Sequence, residues 1–295
     1  MPELPEVESV RRQLAPVLEG RRLTKVVVSD PRLTRPDDPR AVAQSLEGER
    51  IATVDRRGKY LIVRFESGRA LLIHLRMTGS LAHARSGTLP DDPYRRAVAT
   101  LDDGSDVAYR DVRRFGTWVV LERGEDVSYL DERLGPEPFS RAFSPAKLGA
   151  RIGTRRAPIK SVILDQRTVA GVGNIYADEA LWYARVHPLR EAQGLDEGET
   201  AALHRGIRRA LERGIARQGS TLRDYRLPDG ASGGMQHEFK VYGRDGEPCE
   251  RCGTPIEKTR VGGRGTWYCP TCQVPPQAAR SSSRRPSAAS RRSSV

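Results

Sequence analysis

No stretch of this 295-residue chain approaches the ~18 consecutive apolar residues of a membrane helix. Its start also lacks a basic segment followed by an apolar one, so no secretory signal is read and the cytoplasm is the expected compartment. Cysteine is scarce: there are four, all between positions 249 and 272. In a chain expected in a reducing compartment, such clustering argues for a metal and against disulfides. Acidic residues are in deficit, 38 against 50 lysines and arginines, for a formal charge of +12. Five of those arginines fall in the last stretch, "AARSSSRRPSAASRRSSV", which has no acid and almost nothing to bury. Residues 274–295 are therefore expected to form a disordered basic tail. The rest of the chain is still basic, which suits a phosphate-bearing partner. No internal repeat is found.

Residues 1–135 read as one helix followed by strands. In "PEVESVRRQLAPVL", Val7, Val10, Leu14 and Val17 or Leu18 share a helical face, and Pro5 suits a first turn where its missing N–H costs nothing. Apolar runs follow: "TKVVVSD", "KYLIVRF", "ALLIHL", "RAVATLDD", "DVAYRD" and "TWVVLE". Turn pairs such as Ser67-Gly68 and Asp103-Gly104 separate several of them, as in a sandwich or barrel-like sheet. "LGPEPFS" marks a linker, assigned to 136–148. Beyond it the period becomes helical in "IKSVILDQ", "NIYADEALWYAR" and "DEGETAALHRGIRRALERGIARQG". In the last, Leu203, Ile207, Leu211 and Ile215 form a stripe, Asp196 and Glu199 a cap, and Gly219 a stop. The expected class is α+β, with a helical unit at 149–235 and a cysteine module at 236–273.

The cysteines read Cys249-x₂-Cys252, sixteen residues, then Cys269-x₂-Cys272. Two such pairs can converge on one tetrahedral Zn²⁺, and four thiolates leave it no open position, so the zinc would be structural. Their insert carries "TRVGGRGTWYC", a glycine-rich turn flanked by Arg260 and Arg264. A metal-pinned hairpin with arginines at its tip would make a rigid probe for phosphates.

The start, "MPELPEVE", is unusual in its prolines and glutamates. Removing the initiator Met before Pro2 leaves a secondary amine, and an α-amino group has a pKa of about 7.7–8.0, far below lysine. A following helix dipole disfavours its protonated form further. A neutral amine of this kind can attack an aldehydic carbon and form an iminium. Glu3 and Glu6 then fit as proton handlers or as stabilisers of positive charge.

"PELPEVE", "RRGKYL" at 56–61, "HLRMTGSL" at 74–81, "DVRRFGTW" at 111–118, "GVGNIYADEAL" at 171–181, "VYGRDGEPC" at 241–249 and the cysteine finger occur in this order. Together they resemble the formamidopyrimidine-DNA glycosylase family, bacterial enzymes of base excision repair, from residue 2 to about 273. The resemblance implies a β-sandwich with a flanking helix, a helix-two-turn-helix domain and a β-hairpin zinc finger. It also implies a monomer acting on double-stranded DNA with oxidised bases, at the nucleoid and away from membranes. The sister branch, endonuclease VIII, typically begins "PEGPE" and prefers oxidised pyrimidines; Leu4 favours the purine branch, with 8-oxoguanine and formamidopyrimidines as substrates. A non-catalytic zinc-finger DNA binder is the other alternative, and it would need no free terminal proline.

By position, the resemblance makes Pro2 the nucleophile on C1′ of the damaged nucleotide and Glu3 the acid, with Glu6 in support. Lys59 would serve β-elimination and Arg264 δ-elimination. Met77, Arg113 and Phe115 would fill the void left by the flipped nucleotide, with Arg113 facing the orphaned cytosine. Lys59, His74, Asn174 and Arg264 would clamp phosphates, with Arg156 a further DNA contact. Tyr94 stands where many relatives have a DNA-contacting histidine, and "SGGMQHE" at 232–238 replaces a more usual aromatic stretch. Arg76 replaces a common glycine and would add a phosphate contact.

Overall fold

The computed structural model describes residues 1–275, so the expected tail falls outside the described residues apart from its first two positions. Helix α1 (Leu4–Leu18) opens with Pro5 in its first turn, and Val7, Val10, Leu14 and Leu18 are buried along it. Those four join the core of two four-stranded antiparallel sheets. One sheet runs β1 (Leu23–Val28), β6 (Arg95–Leu101), β7 (Ser105–Asp111), β5 (Gly79–Arg85). The other runs β2 (Ile51–Arg57), β3 (Tyr60–Phe65), β4 (Ala70–His74), β8 (Thr117–Leu121). Leu81, Ala97, Leu101 and Tyr109 from the first meet Val54, Leu61, Val63, Leu71 and Trp118 from the second. Facing apolar sides of this kind make a β-sandwich.

Two strands and two helices of this part go beyond the pattern read from the sequence. β2 buries only Ile51 and Val54 fully, a spacing of three that imitates a helix, and β5, "GSLAHAR", is poor in branched residues. Helices α2 (Pro39–Leu46) and α3 (Glu125–Asp131) are short. The β2–β3 register pairs Arg57 with Tyr60, leaving Gly58 and Lys59 as a two-residue turn. The β3–β4 register then sets Tyr60 opposite His74, so Lys59 and His74 emerge at one end of the sheet.

The helical part comprises α4 (Pro145–Ile152), α5 (Ile159–Leu164), α6 (Asn174–Ala184) and α7 (Glu197–Ala216). α4 begins within the stretch read as linker. α7 starts with a reciprocal cap: Glu199 N–H donates to Asp196 at 2.7 Å and Asp196 N–H to Glu199 at 3.1 Å. Gly206 lets α7 cross α6 closely, since a Cβ there would stand 2.4 Å from the Ala180 carbonyl oxygen. Leu4 packs into this helical core while the rest of α1 serves the sandwich, so the chain start is the seam between the two halves. Last comes a hairpin, β9 (Glu257–Val261) and β10 (Arg264–Tyr268). Gly262 and Gly263 turn it with φ of 56° and 76°, the left-handed pair that a two-residue hairpin loop requires. Among the described residues no helix is long and apolar enough to cross a membrane.

Candidate active site

Glu3 is buried, and its carboxylate sits on the N-terminus of α6. It accepts hydrogen bonds from the N–H groups of Gly173 (2.8 Å), Ile175 (2.9 Å) and Tyr176 (3.3 Å). A helix N-terminus offers unpaired donors and a positive dipole end, so an internal carboxylate occupies the anion site. Gly173 is required there: a Cβ would lie 2.3 Å from the Glu3 carboxyl carbon. Burial raises the Glu3 pKa, nearby Lys59 opposes that shift and Glu6 adds to it. The N–H donors of α6 work against the burial, and the net direction is upward.

Glu6 accepts from Glu3 N–H at 2.8 Å, from the Tyr176 hydroxyl at 2.9 Å and from Ser220 N–H at 2.7 Å. Gly219, at φ 79°, lets Ser220 approach, because a Cβ on it would stand 2.8 Å from the Glu6 side chain. Both carboxylates are thus fixed from the helical half, although the residues belong to the chain start. Pro2 is buried beside them and Met1 is exposed. A cavity of about 380 Å³ opens here, lined by Pro2, Glu6, Met77, Arg113, Tyr225 and Tyr242 among others.

Lys59 is buried, and desolvation lowers its pKa; the Glu3 carboxylate resists this and the Arg264 cation reinforces it. His74 is buried edge-on to Tyr60 and held to a pKa of about 3 by desolvation and by the Arg76 and Lys59 cations. Its Nδ1 accepts the Arg76 N–H at 3.0 Å. The proton therefore lies on Nε2, and any phosphate contact from His74 is that of a neutral donor.

Arg264, exposed at the start of β10, is aimed from beneath. Buried Lys160 donates to Gly265 O at 2.9 Å and Thr266 Oγ1 at 2.8 Å, and its ammonium lies 2.7 Å from Asp178. Asp178 in turn accepts Trp267 N–H at 3.1 Å. Burial pushes the Asp178 carboxyl up to about 7 and lowers Lys160, while their mutual attraction works against both shifts. Asn174 spends its amide N–H₂ on Gly265 O at 3.0 Å, so here it ties α6 to the hairpin. One turn on, Glu179 accepts from the N–H groups of Lys240, Val241 and Tyr242.

The sandwich presents Met77, Arg113 and Phe115 on two adjacent loops. Met77 and Phe115 are 39% and 53% exposed, which excludes a core role for either. Arg113 lies over the Phe115 ring, 4.7 Å from its centroid. Buried Asp111 braces both loops: it accepts from Thr78 Oγ1, from Arg113 N–H at 3.2 Å and from Gly116 N–H at 2.7 Å. Tyr94 is 39% exposed, near Arg96 and Arg110. Arg156 is exposed ahead of α5.

The four cysteine sulfurs all lie within 4.8 Å of one another. Zn–S bonds of ~2.3 Å place tetrahedral sulfurs about 3.8 Å apart, so the cluster fits one Zn²⁺. Trp182 Nε1–H donates to Cys249 Sγ at 3.4 Å, a contact suited to thiolate. The zinc would fasten the base of the hairpin whose tip carries Arg264.

Tyr176, Ser220, Lys160, Asp178, Glu179 and Asp111 escaped the sequence reading. The one available signal was "ADEALWYA", two adjacent acids inside an otherwise apolar helix.

Three families match the chain in order. The formamidopyrimidine-DNA glycosylase N-terminal domain matches residues 1–118 and the formamidopyrimidine-DNA glycosylase H2TH domain residues 134–226. A zinc finger found in FPG and IleRS matches residues 246–274. The formamidopyrimidine-DNA glycosylase of Symbiobacterium thermophilum is 46% identical over 286 residues, covering 97% of this chain and 93% of the relative. The crystal structure of the MutM (Fpg) protein from Thermus thermophilus superposes with a TM-score of 0.82 at 44% identity, covering 92% of this chain and 98% of that one. The complex of Lactococcus lactis Fpg (MutM) with Fapy-dG-containing DNA superposes at 0.86 and 36% identity, over 92% and 100%. The three matches lie in chain order and the Symbiobacterium thermophilum relative aligns over nearly the whole length, so the chain belongs to the formamidopyrimidine-DNA glycosylase family.

Proposed function

We propose that this protein is a bifunctional DNA glycosylase and abasic-site lyase of bacterial base excision repair that removes oxidised purines. The observation that carries the reading is Pro2, which lines the cavity with Glu6 and adjoins the buried Glu3. Once Met1 is removed, the Pro2 nitrogen lone pair attacks C1′ of a flipped nucleotide. The C1′–N9 electron pair leaves with the base, which takes up the proton that the Pro2 nitrogen loses, and Glu3 protonates the sugar ring oxygen as the ring opens to an iminium. Loss of a C2′ proton, with Lys59 serving as the proton carrier, expels the 3′ phosphate. Loss of the C4′ proton, with Arg264 assisting the transfer, then expels the 5′ phosphate, and water releases Pro2 by hydrolysing the iminium. Glu6 holds the chain start in place.

Met77, Arg113 and Phe115 fill the emptied stack, and Lys59, His74, Arg264 and Arg156 meet phosphates, with Asn174 at the hairpin and Tyr94 at the rim. The layout is a sandwich domain at 1–135, a linker at 136–148, a helix-two-turn-helix domain at 149–235 and the finger at 236–273. The protein acts as a monomer on nucleoid DNA. The Lactococcus lactis relative bound to Fapy-dG DNA supports the purine branch. Borohydride reduction on an 8-oxoguanine duplex should yield a covalent adduct that Pro2→Gly abolishes. A thymine-glycol duplex trapped in preference, or an adduct persisting in the variant, overturns the reading.

A further inference from the structure

Two concavities share Met77 in their lining, together with Met1, which processing of the chain start removes. One is the cavity holding Pro2 and Glu6. The other is an open groove of about 650 Å³ whose lining includes Arg32, Arg35, Arg76, Arg114 and Phe115 and contains no acid. Two of these arginines come from the loop between β1 and α2, which the catalytic scheme leaves unused.

That loop is built, and it holds both side chains outward. Leu33 is buried and its carbonyl accepts Trp118 N–H at 2.7 Å, pinning the loop to β8. Thr34 is buried and its hydroxyl donates to Asp37 O at 3.0 Å. Arg32 and Arg35, on either side of this buried pair, are exposed. Of the acids in the loop, Asp30 takes two hydrogen bonds from Arg114 and Asp38 caps α2 through the N–H groups of Arg40 and Ala41, while Asp37 is exposed and forms no ion pair with either arginine. Neither Arg32 nor Arg35 forms an ion pair among the described residues.

A damaged strand that brings C1′ to Pro2 lies at the Pro2 cavity. What passes over the groove beside Phe115 is then the other strand. We propose that Arg32 and Arg35 bind backbone phosphates of the undamaged strand, so that the enzyme grips both strands across its wedge. This rests on the glycosylase reading above. Phosphate neutralisation is read directly by salt, at about 0.9 in the log–log slope per contact on duplex DNA.

The test compares native protein with Arg32→Gln/Arg35→Gln on one abasic-site sequence, as duplex and as single strand. On the duplex the variant should bind about tenfold more weakly at low salt, with a salt slope shallower by about 2. On the single strand the two proteins should match. Neutral methylphosphonates placed in the undamaged strand should weaken the native protein and leave the variant unaffected. An unchanged duplex slope, or an equal loss on the single strand, overturns the proposal. Borohydride trapping of the native protein tests the glycosylase reading separately, so either can fail alone. Matching thermal midpoints exclude a folding defect, since both side chains are exposed.

Discussion

The carboxylates around α6 and the side chains of the wedge loops are built in opposite ways. Glu3, Glu6, Asp178 and Glu179 are buried, and each carboxylate is held by backbone N–H groups or buried polar partners. Met77, Arg113 and Phe115 are exposed, and their order comes from the loop beneath them, through Asp111 and Thr78. Groups that move protons need fixed distances and a dry surrounding, which burial supplies. Groups that enter a base stack must be reachable from solvent, and the one contact among these three is that of Arg113 with the Phe115 ring. The difference predicts that substitutions in the first set damage chemistry or fold, and substitutions in the second damage recognition alone.

Glu3→Gln tests the chemical half and has the largest expected effect. A positioned acid contributes roughly 10²–10⁴-fold, so single-turnover base release on an 8-oxoguanine duplex should drop by that factor. In the native enzyme base release should rise as the Pro2 amine loses its proton and fall as Glu3 loses its own, and Glu3→Gln should remove the limb that belongs to Glu3. A variant within tenfold of the native rate would break the comparison. Next comes the scaffold under Arg264. Lys160→Met alone leaves Asp178 buried and unpaired, at a cost of about 3–5 kcal/mol in denaturant unfolding, whereas Lys160→Met/Asp178→Leu should recover most of it. Equal losses in single and double variants would show that the charge pair is not what matters. The smallest effect is at the rim. Phe115→Ala should change stability by no more than about 0.5 kcal/mol, yet weaken lesion-duplex binding by about 1–3 kcal/mol. A marked fall in its unfolding midpoint would place Phe115 with the core after all.

Legibility from sequence followed the range of the interaction. Runs such as "KYLIVRF" and "ALLIHL" declare strands because each is apolar over its own length, and they became β3 and β4. The Asp196–Glu199 cap spans four residues and was readable. β2 and β5 were not, because their burial depends on which sheet receives them. The positions of Pro2, Glu3 and the cysteines stood out through their order and spacing. Their supports did not: Tyr176 reaches Glu6 across 170 positions and Lys160 reaches Thr266 across 106. No local pattern records such a pairing, and a lysine in "APIKSV" looks like a surface residue until the hairpin folds over it.

Glu3 sits on α6, and a carboxylate from the third residue can reach that helix end only after the sandwich and the helical half have docked on each other. A half-assembled molecule therefore has a Glu3 without its α6 donors. The pocket at the chain start is thus a product of tertiary docking and belongs to neither half alone.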